Sequence, residues 1–276
     1  MAFKFNFTVE HVAELLPRID ANEWHDAMTR VLPRWDIDTV DRVAGFIAQT
    51  AHESAGYTVL SENLNYSADA LDKIFPKYFK RAGRNAQEYH RQPEKIANII
   101  YASRMDNGNT SSGDGWRFRG GGILQLTGRH NYTKFGESER RTAEDCTDFV
   151  RTPIGALASA CWFWDTNKIN RYCDNQDIVG MTKRINGGTI GLEDRKKHYT
   201  HAVEVLGGHY NPKEILETVR KGSKGSTVAK MQKALGISAD GDFGPGTEAK
   251  LQEWQRANGL VADGIAGPNT LAKLLG

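Results

Sequence analysis

The spacing of hydrophobic residues predicts helices along most of the first 210 residues. The clearest runs from Thr39 to His52, where apolar residues recur every three or four positions and form one stripe. Thr39 or Asp38 can cap its start, and Gly56 lies just past its expected end. Shorter helices are predicted at 9–16, 23–32, 154–166 and 179–185, with a loop over 103–122 and a short hairpin at 121–126.

The last part of the chain contains an internal repeat. The segment Asp240 to Thr247 (DGDFGPGT) recurs 23 residues later as Asp263 to Thr270 (DGIAGPNT). In each copy a glycine-rich turn leads to a proline at the expected start of a helix. Val228, Met231 and Leu235 mark one more helix before the first copy. The pattern predicts a compact three-helix unit that is suited to binding.

Length and composition fit two unequal soluble domains. The chain has 276 residues, of which 39% are hydrophobic and 25% charged, and these values are ordinary for a globular protein. Gly207-Gly208 and Asn211-Pro212 interrupt the helical pattern as a linker does. We expect a large domain at 1–210, a linker at 211–220 and a small domain at 221–276.

Charge and cysteine content argue against several kinds of partner and cofactor. A net charge of +2 does not favour nucleic-acid binding. No stretch reaches the ~18 apolar residues of a membrane span, and the first residues lack a secretory signal pattern, so no stable membrane insertion is expected. Cys146, Cys161 and Cys173 lack the spacing of a disulfide framework or a zinc site. We expect buried thiols, or one disulfide and a free thiol, and neither a metal nor an organic cofactor.

The small domain resembles a known family. From about Lys221 to Leu275 the chain is similar to peptidoglycan-binding domain 1. The matching features are Gly222 to Val228, Met231-Gln232, Leu235-Gly236, Asp240 to Pro245, Trp254-Gln255 and Asp263-Gly264. This resemblance implies that the small domain binds bacterial peptidoglycan.

Two carboxylates, Glu53 and Glu62, are the candidate chemical groups of the large domain. His52-Glu53 begins like the HExxH motif of zinc proteases, but Gly56 stands where the second histidine belongs. Gly56 can end the helix, so that the chain folds back and Glu62 faces Glu53 across a cleft. Glycoside hydrolysis requires such a pair, and its separation decides between inversion and retention. The alternative is that both are solvated surface acids.

The motifs around these glutamates resemble glycoside hydrolase family 19, the chitinase-like hydrolases, in its short bacteriophage-endolysin form. Glu53 lies in AHES and Glu62 in SEN; a second motif runs from Arg119 to Tyr132 (RGGGILQLTGRHNY), and a third contains Asn186, Glu193 and Arg195. The resemblance implies a mainly α, lysozyme-like helical catalytic domain that precedes the small three-helix domain.

The same resemblance implies roles for individual residues. Glu53 is expected to be the general acid, Glu62 the general base, and Thr127 the hydroxyl that holds the attacking water in an inverting reaction. The expected substrate-binding residues are Gln125, Asn131, Asn186, Tyr66, Arg119, Glu193 and Arg195, of which the last three would form a charged support near the acid. Purely structural alternatives stay open, since Asn186-Gly187-Gly188 can be a helix C-cap, Asn131 can cap a turn, and Tyr57, Tyr66 and Trp116 can be core residues.

These observations together predict an endolysin that cuts the β-1,4 bond between N-acetylmuramic acid and N-acetylglucosamine. The expected partner is peptidoglycan, and a monomer is expected. The enzyme would be held in the host cytoplasm and released to the wall through a separate pore-forming protein. A chitinase acting on N-acetylglucosamine polymers and a non-catalytic wall-binding protein are the alternatives.

Overall fold

The structure is a computed structural model that describes residues 2–208 and 218–275. Within these residues the chain is helical and its strand pairing is limited to isolated bridges, which confirms the mainly α prediction. The helices are α1 (Val9–Leu15), α2 (Ala21–Val31), α3 (Val40–Glu53), α4 (Ala68–Ile74), α5 (Pro93–Ile100), α6 (Asp114–Arg117), α7 (Arg129–Glu139), α8 (Ala143–Phe149), α9 (Pro153–Thr166), α10 (Asn170–Cys173), α11 (Ile178–Asn186), α12 (Leu192–Val205), α13 (Ser226–Ala234), α14 (Pro245–Ala257) and α15 (Pro268–Leu275). Short 3₁₀-helices lie at Leu32–Trp35, Lys80–Ala82 and Ala86–Tyr89.

The chain divides into two compact units, Met1–Asn211 and Pro212–Gly276. Most of the predicted linker at 211–220 lies outside the described residues. Val219, however, exchanges two backbone hydrogen bonds with Ala266, at 3.1 and 2.9 Å. This end of the predicted linker is therefore part of the second unit.

Helix α3 is the central helix of the first unit. Thr39 caps it by accepting a hydrogen bond from the Arg42 backbone N–H at 3.4 Å, as predicted. Its residues 43–51 are all buried, and α12 packs along it. Because α3 ends at Glu53, the predicted acid lies where the helix leaves the core.

The chain turns back directly after α3. Ala55, Gly56 and Tyr57 all have left-handed backbone conformations, with φ of 51°, 67° and 65°. Two of the three are not glycine, so side-chain contacts must hold the turn. The buried Tyr57 does so, because its hydroxyl lies 2.6 Å from Thr50 Oγ1 and its backbone N–H donates to Ser54 Oγ at 3.0 Å. The predicted helix end is confirmed, and it needs more than Gly56 alone.

The first unit contains two hydrophobic clusters. The larger one includes buried residues of α2, α3, α9 and α12, and the smaller one is built around α4 and α5. The chain crosses between them twice. Leu60 packs on the larger cluster and Leu64 lies in the smaller one, whereas Trp116 packs on the smaller cluster and Phe118 lies in the larger. Glu62 is therefore on a crossing segment.

Other expectations can be compared with the structure directly. Gly121 pairs with Leu126, which confirms the short hairpin, whereas the predicted 103–122 loop contains the short helix α6. All three cysteines are buried free thiols. Among the described residues, no helix is long and apolar enough to cross a membrane.

Two buried glutamines organise the repeat of the second unit. Gln232 donates to Asp240 Oδ1 at 2.7 Å and to the Asp242 carbonyl at 3.0 Å, and its own side-chain oxygen accepts from the Gly241 N–H at 2.8 Å. Gln255 makes the same three kinds of contact with Asp263, Ile265 and Gly264, each at 3.0 Å. Each glutamine thus fixes one Asp-Gly turn against the helix before it.

We predict that Gln232→Ala destabilises the second unit by about 1–3 kcal/mol, because it leaves the partly buried Gly241 N–H and Asp242 carbonyl without this partner. Hydrogen-exchange mass spectrometry of the full chain should show faster exchange over 226–257. Lys233→Ala, at an exposed position of the same helix, is the control and should match the wild type. Equal exchange in both variants would contradict the role of the glutamine.

Candidate active site

Glu53 is held by a buried arginine. Its Oε1 accepts a hydrogen bond from Nη2 of Arg195, which belongs to α12. The Arg195 side chain is 1% exposed and that of Glu53 is 30% exposed. The ion pair therefore has its cation inside the protein and its carboxylate at the surface, where a substrate can reach it.

Arg195 is itself held by a polar network beneath the site. Its Nη1 donates to Gln49 Oε1 at 2.6 Å, and Gln49 Nε2 donates to Thr182 Oγ1 at 3.0 Å. Gln49 and Thr182 are both fully buried. Buried polar groups of this kind are stable only when they are paired, so the network ties α3, α11 and α12 together around Glu53.

A second contact joins α3 and α12 at the surface. His52 Nδ1 lies 2.6 Å from Asp194 Oδ2, and this hydrogen bond is the main cause that lowers the pKa of Asp194 below its ordinary value. Gly191 packs against the His52 ring so closely that a Cβ there would lie 2.5 Å from Nε2. His198 also approaches Asp194, at 3.5 Å. Among the described residues, no group of three or more His, Cys, Asp or Glu side chains could hold a metal ion.

Glu62 is held by neutral donors on both carboxylate oxygens. The hydroxyl of Tyr101 donates to Oε1 at 2.7 Å, and the backbone N–H of Gly120 donates to Oε2 at 3.1 Å. The backbone of Glu62 also donates to the Gly120 carbonyl at 2.9 Å. The two glutamates therefore lie in different environments, one beside a buried cation and one between two neutral donors.

Glu62 and Thr127 lie on the two outer segments of a short three-segment ladder. Ser61 pairs antiparallel with Gly121, and Gly121 pairs antiparallel with Leu126. Glu62 and Thr127 follow Ser61 and Leu126 on the outer segments, and Gly120 lies on the segment between them. A Cβ at Gly120 would lie 2.6 Å from Gln125 Oε1 and 3.1 Å from Glu62 Cβ, so a side chain there would press against both residues.

Gln125, Thr127 and Asn131 form one hydrogen-bonded group. Thr127 Oγ1 donates to the Gln125 carbonyl at 2.8 Å, and Asn131 Nδ2 donates to the Thr127 carbonyl at 2.8 Å. Gln125 has a φ of 52°, an uncommon conformation for a residue other than glycine. All three line a cavity of about 330 Å³ together with Trp162 and Phe163 of α9. The residues lining this cavity do not include Glu53 or Glu62.

The charged support predicted around Glu53 differs in the structure. Arg195 contacts Glu53, but Glu193 is 79% exposed and pairs with Lys196 at 2.8 Å, so it supports no buried group. The Arg119 guanidinium stacks on the Trp116 ring at 3.7 Å from its centroid. Burial, and next the charge of Arg151, lower the pKa of Arg119, while the negative charge of Glu62 acts in the opposite direction. Arg119 thus belongs to the surroundings of Glu62.

Asn186 and Tyr66 make structural contacts. Asn186 Nδ2 donates to the Ile190 carbonyl at 3.2 Å, and Gly187 caps α11 with a φ of 70°, which fits the helix-cap alternative. The Tyr66 ring packs edge-on against Phe75 at 5.2 Å. These contacts fix both side chains without bringing either into contact with the two glutamates.

Sequence reasoning missed Tyr101, Gln49 and Asp194. Gln49 carries a signal, because it is a long amide side chain within the most apolar part of α3. Tyr101 carries none that is local, since it is 39 residues from Glu62 and in no recognised motif. Asp194 was overlooked because its neighbour Glu193 matched the expected acidic position.

Comparisons with known proteins decide the family. The chain is 41% identical over 156 residues to a "Glycosyl hydrolase family 19 domain-containing protein" of Haemophilus influenzae, and the match covers 56% of this chain and 76% of that protein. The chain belongs to glycosyl hydrolase family 19. This confirms the family expected from the motifs around Glu53, Glu62 and Thr127. Residues 225–274 match the family model PG_binding_1, "Putative peptidoglycan binding domain".

Solved structures support the family 19 fold. The chain is similar to chitinase C of Streptomyces griseus HUT6037, with a TM-score of 0.51 and 16% identity, over 75% of this chain and 78% of that one. A mutant of chitinase C matches with a TM-score of 0.50 and 16% identity, over 75% and 95% of the two chains. At this identity the likeness concerns the fold alone.

We predict that Arg195→Lys destabilises this family 19 protein, because a lysine keeps the charge but cannot bind Gln49 and Glu53 with one planar fork. The expected loss is about 1–3 kcal/mol of the free energy of unfolding, measured with denaturant. Lys197→Ala, at an exposed position of α12, is the control and should change little. Wild-type stability in Arg195→Lys would show that the second hydrogen bond contributes nothing.

A second prediction concerns pH. Since the folded-state pKa of Asp194 is lowered, its pair with His52 stabilises the protein above the ordinary aspartate pKa, and this contribution is lost as pH falls through the lowered value. The pair is exposed and is worth at most about 1 kcal/mol. We expect His52→Leu to be less stable than the wild type at pH 5 to 6, with the difference vanishing toward pH 2. His201→Leu, which removes another exposed imidazole, controls for surface effects, and a difference independent of pH would contradict the assignment.

Proposed function

We propose that this family 19 protein is an endolysin that hydrolyses the β-1,4 bond between N-acetylmuramic acid and N-acetylglucosamine in peptidoglycan. The observation that carries the proposal is the presence, in one chain, of a family 19 unit and a unit that matches a peptidoglycan-binding family model. A second unit of this kind raises the effective concentration of its partner unit at the polymer that it binds. The wall polymer is therefore the substrate that the domain combination favours.

The proposed chemistry uses the two glutamates in different roles. Glu53 donates a proton to the glycosidic oxygen as the bond breaks, and Glu62 removes a proton from the attacking water. The Glu53 carboxyl lies at the surface end of its contact with Arg195, where it is accessible to the leaving oxygen. The sugar bond would be cleaved with inversion, because a water molecule between base and sugar attacks from the opposite face.

Thr127 completes the proposed water site. Its hydroxyl proton is directed to the Gln125 carbonyl, so its oxygen lone pairs are left to accept a hydrogen bond from water. Glu62, on the other outer segment of the ladder, accepts the other proton. Gly120 between them adds no side chain, which keeps the space for that water free.

The surroundings of the site suit a neutral sugar. The cavity beside Thr127 has amide groups from Gln125 and Asn131 and an aromatic wall from Trp162. Amides and aromatic faces match the hydroxyl, acetamido and apolar ring faces of an N-acetylated hexose. Gln125 and Asn131 are therefore proposed to bind sugar.

A chitinase is the second candidate, favoured by the fold shared with chitinase C. Both candidates share the acid, the base and the inverting reaction, and they differ in the polymer cut. The tight turn at 55–57 leaves only eight residues between Glu53 and Glu62. A short connection favours an open cleft that admits glycan strands with peptide stems. Action as a monomer, on the host wall after release through a separate pore-forming protein, is part of the first proposal.

We predict that Glu53→Gln and Glu62→Gln each reduce hydrolysis of purified peptidoglycan by about 10²–10⁴-fold, the usual contribution of a positioned acid or base. Reducing-end analysis and mass spectrometry of the fragments measure the reaction and identify the sugar left at the new end. Glu204→Gln, at an exposed position of α12, should retain full activity. Chitin is digested in parallel.

The outcomes separate the candidates. Disaccharide-peptides with reducing N-acetylmuramic acid, absent with both variants, support a muramidase. Reducing N-acetylglucosamine indicates cleavage of the other bond in the glycan. Activity on chitin alone replaces the first proposal with the second. Wild-type rates in either glutamine variant would exclude the acid and base roles altogether.

A further inference from the structure

Tyr101 lies at a site that neither the motifs nor the family comparison assigns. It follows the last residue of α5 and donates its hydroxyl hydrogen to Glu62 Oε1 at 2.7 Å. Tyr101 packs against the smaller hydrophobic cluster, whereas Gly120, the other donor to Glu62, is followed by the hairpin of the larger cluster. The carboxylate of Glu62 thus accepts one hydrogen bond from the side of each cluster.

We propose that Tyr101 is a positioning residue that fixes the orientation of the Glu62 carboxylate. This inference rests on the proposed function. The Tyr101 hydroxyl and the Gly120 N–H bind different oxygens of the carboxylate and so restrict its rotation. Each oxygen has more than one lone pair, so one remains available for water.

Tyr101 stays a donor over the working range of pH. Burial, and next the hydrogen bond to Glu62, raise the pKa of Tyr101 well above its ordinary value. The charge of Glu62 and nearby Tyr66 act in the same direction, whereas Arg104 acts against them. Arg119 is also a charged group near Glu62. At neutral pH the hydroxyl therefore keeps its proton and donates it.

The segment after Tyr101 has an unusual backbone conformation that restricts the position of this tyrosine. Ser103, Met105 and Asp106 all have left-handed conformations, with φ of 53°, 51° and 62°. Such conformations cost free energy in residues other than glycine and persist only where surrounding contacts impose them. Met105 supplies one such contact, since a Cβ at Gly128 would lie 2.5 Å from its Cβ.

Asn107 connects the tyrosine to the predicted water site. Its Nδ2 donates to the Tyr101 carbonyl at 3.0 Å, and its Oδ1 accepts from the Arg129 backbone N–H at 2.8 Å. Asn107 is 6% exposed, so both hydrogen bonds are shielded from water. Arg129 begins α7 two residues after Thr127. The two Asn107 hydrogen bonds therefore connect the backbone at Tyr101 to the backbone close to Thr127.

The experiment compares Tyr101→Phe with Tyr172→Phe, a control whose hydroxyl only accepts from exposed Arg171 at 2.9 Å. Steady-state hydrolysis is measured on peptidoglycan or chitin, whichever the wild type cuts, across pH 4 to 9. In Tyr101→Phe we expect kcat to fall about 10- to 100-fold, because a hydrogen bond to a charged group is lost. KM should change less than about twofold, since binding of the sugar is untouched. The acidic limb of the kcat/KM profile should also move, which a merely structural role of Tyr101 would not cause.

The result that overturns the inference is an unchanged kcat and an unchanged acidic limb in a folded Tyr101→Phe protein while Glu62→Gln is inactive. A fall in activity that matches a fall in the unfolding midpoint, with the limb unmoved, assigns Tyr101 a merely structural role and also overturns it. If Tyr101→Phe does not fold, 3-fluorotyrosine at position 101 replaces it. As a stronger donor it should move the limb, and no movement refutes the inference. Full activity of Glu62→Gln would instead refute the proposed function.

Discussion

The architecture of the site depends on a buried cation. Arg195 is enclosed by the first unit. Its charge is paired with the Glu53 carboxylate at the end of α3, its Nη1 donates to the Gln49 side chain one turn earlier, and its buried Nε has no hydrogen-bond partner among the described residues. Removing water from a guanidinium costs several kcal/mol unless its donors are satisfied. This constraint fixes the register of α3 against α12. It also explains why a glutamate that ends a helix has a defined position instead of the freedom of a surface acid.

Glu62 reaches a defined position by a different route. It is on a short segment that crosses between two hydrophobic clusters, and each of its carboxylate oxygens accepts a hydrogen bond from a neutral donor. Backbone pairing with Gly120 and a hydroxyl donor from Tyr101 fix it instead. One carboxylate is thus anchored by charge and the other by neutral dipoles.

Much of the fold could be predicted from the sequence, since α3 has a capping threonine, an apolar stripe and an evident end. The repeat at Asp240 and Asp263 likewise indicated the second unit, because the residues that form a turn are adjacent in the sequence. The site was predictable only where a motif is local, as at Glu53, Glu62 and Thr127. The donor Tyr101 could not be found, since its contact with Glu62 depends on how α5 packs. Neighbouring residues such as Glu193 and Asp194 point about 100° apart around a helix. Which of the two faces His52 therefore depends on how α12 is rotated against α3, and the sequence does not show this rotation.

The buried glutamines of the second unit have a consequence for how its surface can vary. Gln232 and Gln255 hold their turns through backbone atoms and one aspartate, and they do not contact the side chain at the third position of each turn. That position is Asp242 in one copy, paired with Lys224, and the exposed Ile265 in the other. The two copies of the turn therefore share a backbone structure, but one presents an ion pair and the other an exposed apolar side chain. The side chain at the third position of either turn can therefore change while the hydrogen bonds of the buried glutamine are kept.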